Sequence, residues 1–276
     1  MTLADRRIGF IGGGAMAEAL AGGLVAAGIA PSRILASDLE ATRREQLASA
    51  LGVATTADNA RVARESDVVV IAVKPGAVES ALAGLSAGAV PGRPLWISIA
   101  AGVPLERLAR SLPARARIVR AMPNTPALVR AGATALCGNA DAGAGDLALA
   151  RELFEGVGMV WMAAREEQLD AVTGLSGSGP AYVFRMLEAL GAAGERMGLP
   201  RAAADRLALQ TVFGAAKLAL ETQRPPAELR QQVSSPGGTT LAGLERLEAL
   251  GFASAIDAAV EAATRRSRAL GKQLGA

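Results

Sequence analysis

The residues that most clearly indicate a chemical function are the glycines near the N-terminus. The run GGGAMA at residues 12–17 follows the apolar segment Ile8–Ile11 and opens a helical pattern. In this G-x-G-x-x-A spacing Gly12 permits a tight turn, Gly14 lets the backbone approach a pyrophosphate, and Ala17 lets the helix pack closely. The free N–H groups at the helix start also attract phosphate. The motif therefore predicts a dinucleotide site.

The residues after the second apolar segment bear on which dinucleotide binds. Asp38 could accept a hydrogen bond from a ribose 2′-hydroxyl, which favours NADH. Ser37, Arg43 and Arg44 could instead hold a 2′-phosphate, which favours NADPH, and Asp38 could also cap the next helix. We predict NADPH or NADH as the cofactor and slightly favour NADPH.

Two more segments end predicted strands on the edge of the sheet where ligands bind in open α/β folds. Val73, Lys74 and Pro75 end one strand, and Lys74 is placed to contact the cofactor or its phosphates. A solvated lysine is the alternative. The small residues of Ser98–Gly102 end the next strand and leave room for a flat nicotinamide ring.

Two glycine-serine motifs stand in the C-terminal half. They are GLSGSGPAY at residues 174–182 and SSPGGTT at residues 234–240. Both are predicted to present backbone N–H groups and hydroxyls at a helix start, which suits a carboxylate. Such hydrogen bonds contribute about 1.5–3 kcal/mol each, so two or three would supply much of the roughly 4 kcal/mol of millimolar affinity. The alternative is that both are simply capped turns.

Composition excludes several functions. The chain has no histidine and a single cysteine, Cys137, so histidine-based triads and an intrachain disulfide are impossible and no metal site is expected. Its net charge is +3, with arginines dispersed among acids, so we expect no nucleic-acid partner. No apolar run reaches the roughly 18–20 residues of a membrane span. Glu18 interrupts the segment that resembles a signal peptide, and we expect a cytoplasmic protein.

The elements that must position these residues alternate in the first half of the chain. Apolar runs predict strands and periodic segments predict helices, which together indicate a parallel sheet covered on both faces. The predicted strands are Ile8–Ile11, Ile34–Ala36, Val68–Val73, Trp96–Ile99, Arg117–Ala121 and Thr134–Cys137. The predicted helices between them are Ala15–Ala27, Ala41–Leu51, Ala77–Leu85 and Leu105–Leu112.

From about Glu166 only helical patterns remain, predicted at Ala181–Met197, Ala202–Glu221, Thr240–Leu250 and Ala255–Leu270. The predicted fold is thus α/β, with an N-terminal Rossmann-type doubly wound sheet at residues 1–165 and an all-α C-terminal dimerisation domain at residues 166–276. The alanine-rich helices indicate a homodimer or a higher homo-oligomer built from dimers. A monomeric helical cap is the alternative.

The motifs, taken in order, resemble those of the pyrroline-5-carboxylate reductases. They are the glycine turn, Val73–Pro75, Ala100–Gly102, Met122–Pro126, the GSGPAY run at Gly177–Tyr182 and the SPGGTT run at Ser235–Thr240. The resemblance spans nearly the whole chain. It implies reduction of the cyclic imine 1-pyrroline-5-carboxylate to L-proline by NAD(P)H, in a site to which a partner subunit contributes.

The resemblance also implies roles for individual residues. Thr240 would hydrogen-bond the ring nitrogen of the imine. The implied substrate-binding set is Gly238, Thr239 and Thr240, with Ser235 and Glu166. The implied cofactor set, together with Asp38, is Ile11, Gly12, Gly13, Gly14, Ala15, Met16, Ser37, Asn59, Ala72, Val73, Lys74, Pro75, Ile99, Ala100 and Ala101.

Two other functions compete with imine reduction. A β-hydroxyacid dehydrogenase-like oxidoreductase needs a base, commonly a lysine early in the second domain, yet no lysine lies between Lys74 and Lys217. In a non-catalytic NAD(P)-binding regulator, the two glycine-serine motifs that are predicted to bind an anion would have no function. Imine reduction fits the lack of histidine, because a protonated imine is already electrophilic. Thr240 would then orient the substrate or relay a proton that comes from solvent.

Overall fold

The computed structural model describes residues 2–85 and 94–275. These residues contain an eight-stranded sheet with the order β3-β2-β1-β4-β5-β6-β7-β8. The strands are β1 (Ile8–Ile11), β2 (Ile34–Ser37), β3 (Ala54–Thr56), β4 (Val68–Ile71), β5 (Leu95–Ser98), β6 (Arg117–Met122), β7 (Gly132–Gly138) and β8 (Gly158–Met162).

The central strands confirm the Rossmann-type prediction. Strand β1 pairs in parallel with β2 on one side and with β4 on the other, with Ile8 opposite Ile34 and Val68. Every residue of β1, β2, β4 and β5 is buried, which explains their unbroken apolar runs. The strand order reverses between β1 and β4, and ligands of open α/β sheets bind at such a switch point.

The sheet is not parallel throughout, which corrects the sequence-based prediction. Strand β7 runs antiparallel to β6, and Arg120 lies opposite Cys137. Residues 123–131 connect the two strands, and they are too few for the parallel crossover, which takes about a dozen residues or more. Strand β8 then returns parallel to β7.

The helices of the described residues follow the strands in the first half of the chain and replace them in the second. They are α1 (Ala15–Ala26), α2 (Ala41–Leu51), α3 (Asn59–Glu65), α4 (Val78–Leu82), α5 (Leu105–Ser111), α6 (Ala144–Glu155), α7 (Gln168–Val172), α8 (Gly179–Arg196), α9 (Arg201–Thr222), α10 (Pro226–Gln232), α11 (Thr239–Ala249) and α12 (Phe252–Gly275).

Helices cover both faces of the sheet, so the core has two layers. Leu20 of α1 and Phe154 of α6 pack in the layer on one face. Val62 of α3, Leu82 of α4 and Leu108 of α5 pack in the layer on the other. All five side chains are almost fully buried. The sheet is therefore held rigidly enough to fix the positions of the loops at its edge.

Several elements were not predicted from the sequence. Strand β3 lacks a large apolar residue, and α6 begins among glycines that indicate a loop. Strand β8 lies at the sheet edge and leaves Met159 and Trp161 partly exposed. Helices α3, α7 and α10 are short. In each case the local pattern is weak and tertiary packing decides the structure.

The chain forms two compact units. The described residues up to Ser178, together with those from Glu261 onward, form the first, and Gly179–Val260 form the second. In the second, α8 and α9 pack as a helical hairpin, where a Cβ added at Gly194 would lie 2.9 Å from Cβ of Ala204. Among the described residues no strand lies beyond β8, as the helical pattern predicts.

Candidate active site

The glycine turn lies between β1 and α1, at the switch point of the sheet. Gly12 has a φ of +101°, a conformation that disfavours other residues. Its N–H donates to the Ser37 carbonyl at 2.9 Å. A Cβ added at Gly12 would lie 2.7 Å from the carbonyl oxygen of Ala72. The close approach of β1, β2 and β4 therefore requires glycine here.

Gly14 has a different reason to be glycine. It is the N-cap of α1, with an extended φ of −72° and ψ of 176° that any residue adopts. A Cβ added there would meet no heavy atom within 4 Å. Protein packing thus does not require glycine at this position, whereas a ligand approaching the first N–H groups of α1 would. The residues present fit the pyrophosphate of a dinucleotide.

Asp38 connects the glycine turn to the segment that follows β2 through its two carboxylate oxygens. Its Oδ2 accepts a hydrogen bond from the N–H of Gly13 at 2.8 Å, and its Oδ1 accepts one from Glu40 at 2.9 Å. The N-cap of α2 is Glu40 rather than Asp38. Asp38 therefore fixes the turn against the end of β2, whatever contact it makes with a ribose.

Ser37 and Asn59 form a polar link beneath the turn. The Ser37 side chain is fully buried, and its Oγ lies 2.7 Å from Oδ1 of Asn59 and 3.2 Å from the Phe10 carbonyl. Asn59 Nδ2 donates to Ala81 at 2.9 Å. The buried Ser37 hydroxyl thus has protein partners, which leaves the exposed Arg43 and the half-buried Arg44 as the cationic groups for a 2′-phosphate.

A cavity of about 290 Å³ opens beside this link. It brings together six residues of the predicted cofactor set, namely Ile11, Gly12, Ser37, Asp38, Asn59 and Val73. Leu39, Glu40 and Ser80 also line it and were not predicted. Leu39 and Glu40 directly follow Asp38 in the sequence and could have been predicted from that position. Ser80 is distant in the sequence, and only the folding of the chain brings it to the cavity.

Arg44 adds positive charge near this cavity. Its guanidinium donates to the carbonyls of Asp38 at 2.8 Å and Leu39 at 3.0 Å. These bonds hold the cation beside the end of β2. Arg43 is exposed on the same helix.

The ends of β1, β4 and β5 lie side by side at one edge of the sheet. The Ala72 N–H donates to Ile11 at 2.8 Å, and the Ile99 N–H donates to Ile71 at 3.1 Å. Lys74 is exposed and precedes the short 3-10 turn Pro75–Ala77. The predicted cofactor residues 72–75 and 99–101 therefore follow neighbouring strands.

The SPGGTT motif forms the start of α11 in the second unit. Gly237 has a φ of +70°, and Gly238 is the N-cap, whose N–H donates to the Ser235 carbonyl at 3.0 Å. Thr239 and Thr240 are the first two helical residues and are exposed. The first N–H groups of a helix have no intrahelical acceptor. Gly238, Thr239 and Thr240 thus lie together at a helix start, and anion binding there stays a prediction.

The GSGPAY motif begins in a π-helical turn and ends in a helix start. Thr173–Gly177 is the π-helical turn that follows α7, Ser178 donates its N–H to the Thr173 carbonyl at 2.8 Å, and α8 begins at Gly179. The Ser178 N–H is therefore used within the backbone, and carboxylate binding at the start of α8 stays a prediction. Local π turns occur frequently at functional sites.

Asn124 connects two of the motifs within the first unit. Its Nδ2 donates to the carbonyl of Ser176 at 3.1 Å, and its Oδ1 accepts from Ala133 at 2.8 Å. A Cβ added at Gly177 would lie 2.5 Å from Cε of Met122. The Met122–Pro126 segment therefore packs against the π turn and positions it.

Glu166 lies in the first unit just before α7, and its side chain reaches the start of α5. Its Oε1 accepts hydrogen bonds from the Leu105 N–H at 2.8 Å and from Arg120 Nη1 at 2.7 Å. Arg120 was not predicted as a functional residue, although an arginine in a central strand is an unusual signal. It is 5% exposed and thus needs the pairing that Glu166 supplies.

The only cysteine is not a nucleophile. Burial raises the pKa of the Cys137 thiol, and the nearby negative charge of Glu166 raises it further. The thiol therefore remains protonated at neutral pH. Within residues 2–85 and 94–275, no three His, Cys, Asp or Glu side chains are grouped so that they could hold a metal ion.

Comparison with known proteins places this geometry in a family. Residues 166–270 match the family model described as pyrroline-5-carboxylate reductase dimerisation, and residues 7–102 match NADP oxidoreductase, coenzyme F420-dependent. A pyrroline-5-carboxylate reductase of Synechocystis sp. is 49% identical over 97% of this chain and 99% of its own.

Solved structures give the same result. A pyrroline-5-carboxylate reductase from Coxiella burnetii superposes with a TM-score of 0.91 at 41% identity, over 96% of this chain and 98% of its own. A pyrroline carboxylate reductase from Plasmodium falciparum, with NADP bound, superposes with a TM-score of 0.84 at 32% identity, over 97% and 98%.

The mostly parallel sheet, the glycine turn at its switch point and the helical segment that follows define an NAD(P)-dependent oxidoreductase. Within this class the comparisons are specific. The chain belongs to the pyrroline-5-carboxylate reductase family. In the part of the chain that the structure describes, no helix is both long enough and apolar enough to span a bilayer.

Proposed function

We propose that this protein reduces 1-pyrroline-5-carboxylate to L-proline with NADPH. The observation that carries the proposal is the start of α11, where Gly238 caps a helix whose first residues are two exposed threonines. A helix N-terminus binds a carboxylate through backbone N–H groups and the helix dipole. A small cyclic acid is the substrate that this arrangement suits.

The first unit supplies the nucleotide site. Gly12, Gly13 and Gly14 form the turn that receives the pyrophosphate, with Ala15 and Met16 offering the first N–H groups of α1. Asp38 holds the turn in place through Gly13. When bound, the nicotinamide supplies the hydride, and the predicted contacts at residues 72–75 and 99–101 orient its ring.

In the second unit, Thr239 and Thr240 bind and orient the imine. The N–H groups at the start of α11 hold the carboxylate, with Ser235 and Gly238 shaping the turn. Thr240 directs its hydroxyl at the ring nitrogen, and the proton that appears on the product comes from solvent. A threonine suffices, because a protonated imine needs no strong acid from the protein.

The finer assignments are part of the same proposal. Arg44, fixed beside the end of β2, supports NADPH over NADH because it presents a cation where a 2′-phosphate would lie. The dimerisation model and the exposed apolar side chains of α8 and α9, such as Phe184, Leu207 and Phe213, support a homodimer or a larger assembly of dimers. We propose a cytoplasmic location, and the domain boundary near Glu166 remains a prediction.

An assay of the purified protein tests the function. Oxidation of NADPH, followed by the loss of nicotinamide absorbance, is expected with 1-pyrroline-5-carboxylate, and proline should accumulate in equal amount. NADH should give a lower kcat/KM. Oxidation of 3-hydroxy acids without imine reduction would instead support the β-hydroxyacid dehydrogenase function. Nucleotide binding without turnover of any cyclic imine would support a regulator.

A further inference from the structure

Arg120 forms the centre of a buried ion network that lies wholly in the first unit. The residue stands in β6, and its side chain is 7% exposed. Its Nη1 lies 2.7 Å from Oε1 of Glu166, and its Nη2 lies 3.9 Å from Oδ1 of Asp170. A buried cation between two carboxylates fixes both of them, because removing it leaves like charges close together.

The first carboxylate holds the end of the loop that follows β5. The Oε1 atom of Glu166 that binds Arg120 also accepts the N–H of Leu105 at 2.8 Å. Leu105 is the first residue of α5, immediately after residues 99–104. The position of that loop is thus tied to Arg120 through a single oxygen atom.

The second carboxylate holds α12 against the same loop. Asp170 Oδ1 accepts a hydrogen bond from the buried Ser267 hydroxyl at 2.7 Å. One turn further along α12, a Cβ added at Gly271 would lie 3.1 Å from the carbonyl oxygen of Gly102. Gly102 has a φ of +75°, a conformation that favours glycine, at the point where the helix touches the loop.

We propose that Arg120, Asp170, Ser267 and Gly271 are positioning residues, which hold the loop at residues 99–102 in the conformation that receives the nicotinamide. This inference rests on the proposed function, which assigns that loop to the nicotinamide end of the cofactor. The residues act through the loop and contact neither substrate nor cofactor. Their loss should therefore affect the nicotinamide end more than the adenosine end.

The test compares two nucleotides. NADPH is titrated beside 2′-phospho-ADP-ribose, which lacks the nicotinamide, and kcat is measured with 1-pyrroline-5-carboxylate. Gly271→Ala should displace the loop by a few tenths of an ångström and lower kcat about threefold to tenfold, since small misplacements at a reacting centre are costly. It should weaken NADPH binding and leave binding of the fragment unchanged.

Three further variants keep the test independent of any one substitution. Ser267→Ala should likewise raise the ratio of the dissociation constant for NADPH to that for the fragment. Arg120→Met should shift it further, with Arg120→Lys in between, because lysine keeps the charge and loses the guanidinium fork. Gly145→Ala is the matched control, since a Cβ added at this helical glycine meets no heavy atom within 4 Å.

The outcomes separate the inference from the function on which it rests. A ratio unchanged in both Ser267→Ala and Gly271→Ala, even with a lower Tm, would overturn the positioning role, as would equal weakening of NADPH and the fragment. A wild-type protein that binds NADPH but reduces no imine would refute the proposed function alone, because the two titrations would still report on the loop.

Discussion

Individual glycines in this chain are required for different physical reasons. Some are required by the fold and others by the expected ligand. Gly12 is required by its positive φ and by the nearby Ala72 carbonyl. Gly14 is required by neither, because its backbone is extended and no protein atom would meet its Cβ. Substitution at Gly14 should therefore affect the ligand and spare the fold.

We predict that Gly14→Ala weakens NADPH binding at least tenfold with little change in Tm. The added methyl group would occupy the path by which a pyrophosphate approaches α1. Gly143→Ala is a closely matched control, because Gly143 also caps a 12-residue helix, with φ −82° and ψ 178°. Titration of both variants with NADPH checks the prediction. Equal effects at the two positions would contradict it.

A second prediction at this scale concerns Thr240. Thr240→Val should lower kcat by about 10²–10⁴-fold, the range associated with general acid catalysis, because the hydroxyl that hydrogen-bonds the ring nitrogen of the imine would be lost. Thr42→Val provides the control, since Thr42 is likewise the second residue of its helix and is exposed. Steady-state kinetics with saturating NADPH is the measurement. Full activity in Thr240→Val would remove this residue from the mechanism.

At the scale of elements, we expect the end of β2 and the start of α2 to set the preference between NADPH and NADH. Both carboxylate oxygens of Asp38 accept hydrogen bonds from backbone N–H groups, and Arg44 donates to the carbonyls of Asp38 and Leu39. Asp38 and Glu40 line the cavity, and the positive charge beside them is the Arg44 guanidinium. This arrangement should recognise a 2′-phosphate.

We predict that Arg44→Ala lowers kcat/KM for NADPH about tenfold to a hundredfold and changes that for NADH much less. The range corresponds to the roughly 1.5–3 kcal/mol of a hydrogen bond to a charged group. Arg61→Ala removes an exposed arginine paired with Glu65 on α3 and should leave both values unchanged. Equal losses with the two nucleotides in Arg44→Ala would argue against 2′-phosphate recognition.

The π turn shows how an element can differ from the pattern that suggests it. Three glycines and two serines in GLSGSGP indicate a loop, yet residues 173–177 remain helical with a wider turn. Asn124, in the segment that follows β6, stabilises the turn through its bond to the Ser176 carbonyl. A contact between residues so far apart in sequence is invisible in the local composition, so the pattern alone did not predict the π turn.

At the scale of the whole molecule, the second unit leaves many large apolar side chains exposed in the single chain. Phe184 is 59% exposed, Phe213 58% and Leu220 78%. Exposed apolar surface of this kind marks an interface between proteins. The family model for dimerisation covers these same helices.

The resemblance implies that each active site combines residues of two subunits, and mixed dimers test this. Gly14→Ala and Thr240→Val chains should each have low activity alone. Co-expressed, they should regain about a quarter of wild-type activity, because half of the dimers are mixed and each mixed dimer of a two-fold assembly has one intact site. A mixture no more active than its components would show that each chain completes its own site.

The strongly periodic and apolar parts of the chain were predictable without the structure. The strands β1, β2, β4 and β5 are buried on both faces and therefore carry unbroken apolar runs. The glycine turn and the start of α11 are also local, because a helix N-terminus is specified by a few consecutive residues. The Rossmann-type order and the helical second half followed from these patterns.

Long-range contacts decided the rest. The antiparallel direction of β7, the Arg120 network and the contact of Gly271 with Gly102 depend on residues far apart in the chain. Sequence alone determined which residues could bind a nucleotide and a small acid, since those properties reside in single turns. Only the tertiary structure determined which buried charges hold the loops in place, because a charge acquires its partner, and its energetic effect, when folding excludes water from around it.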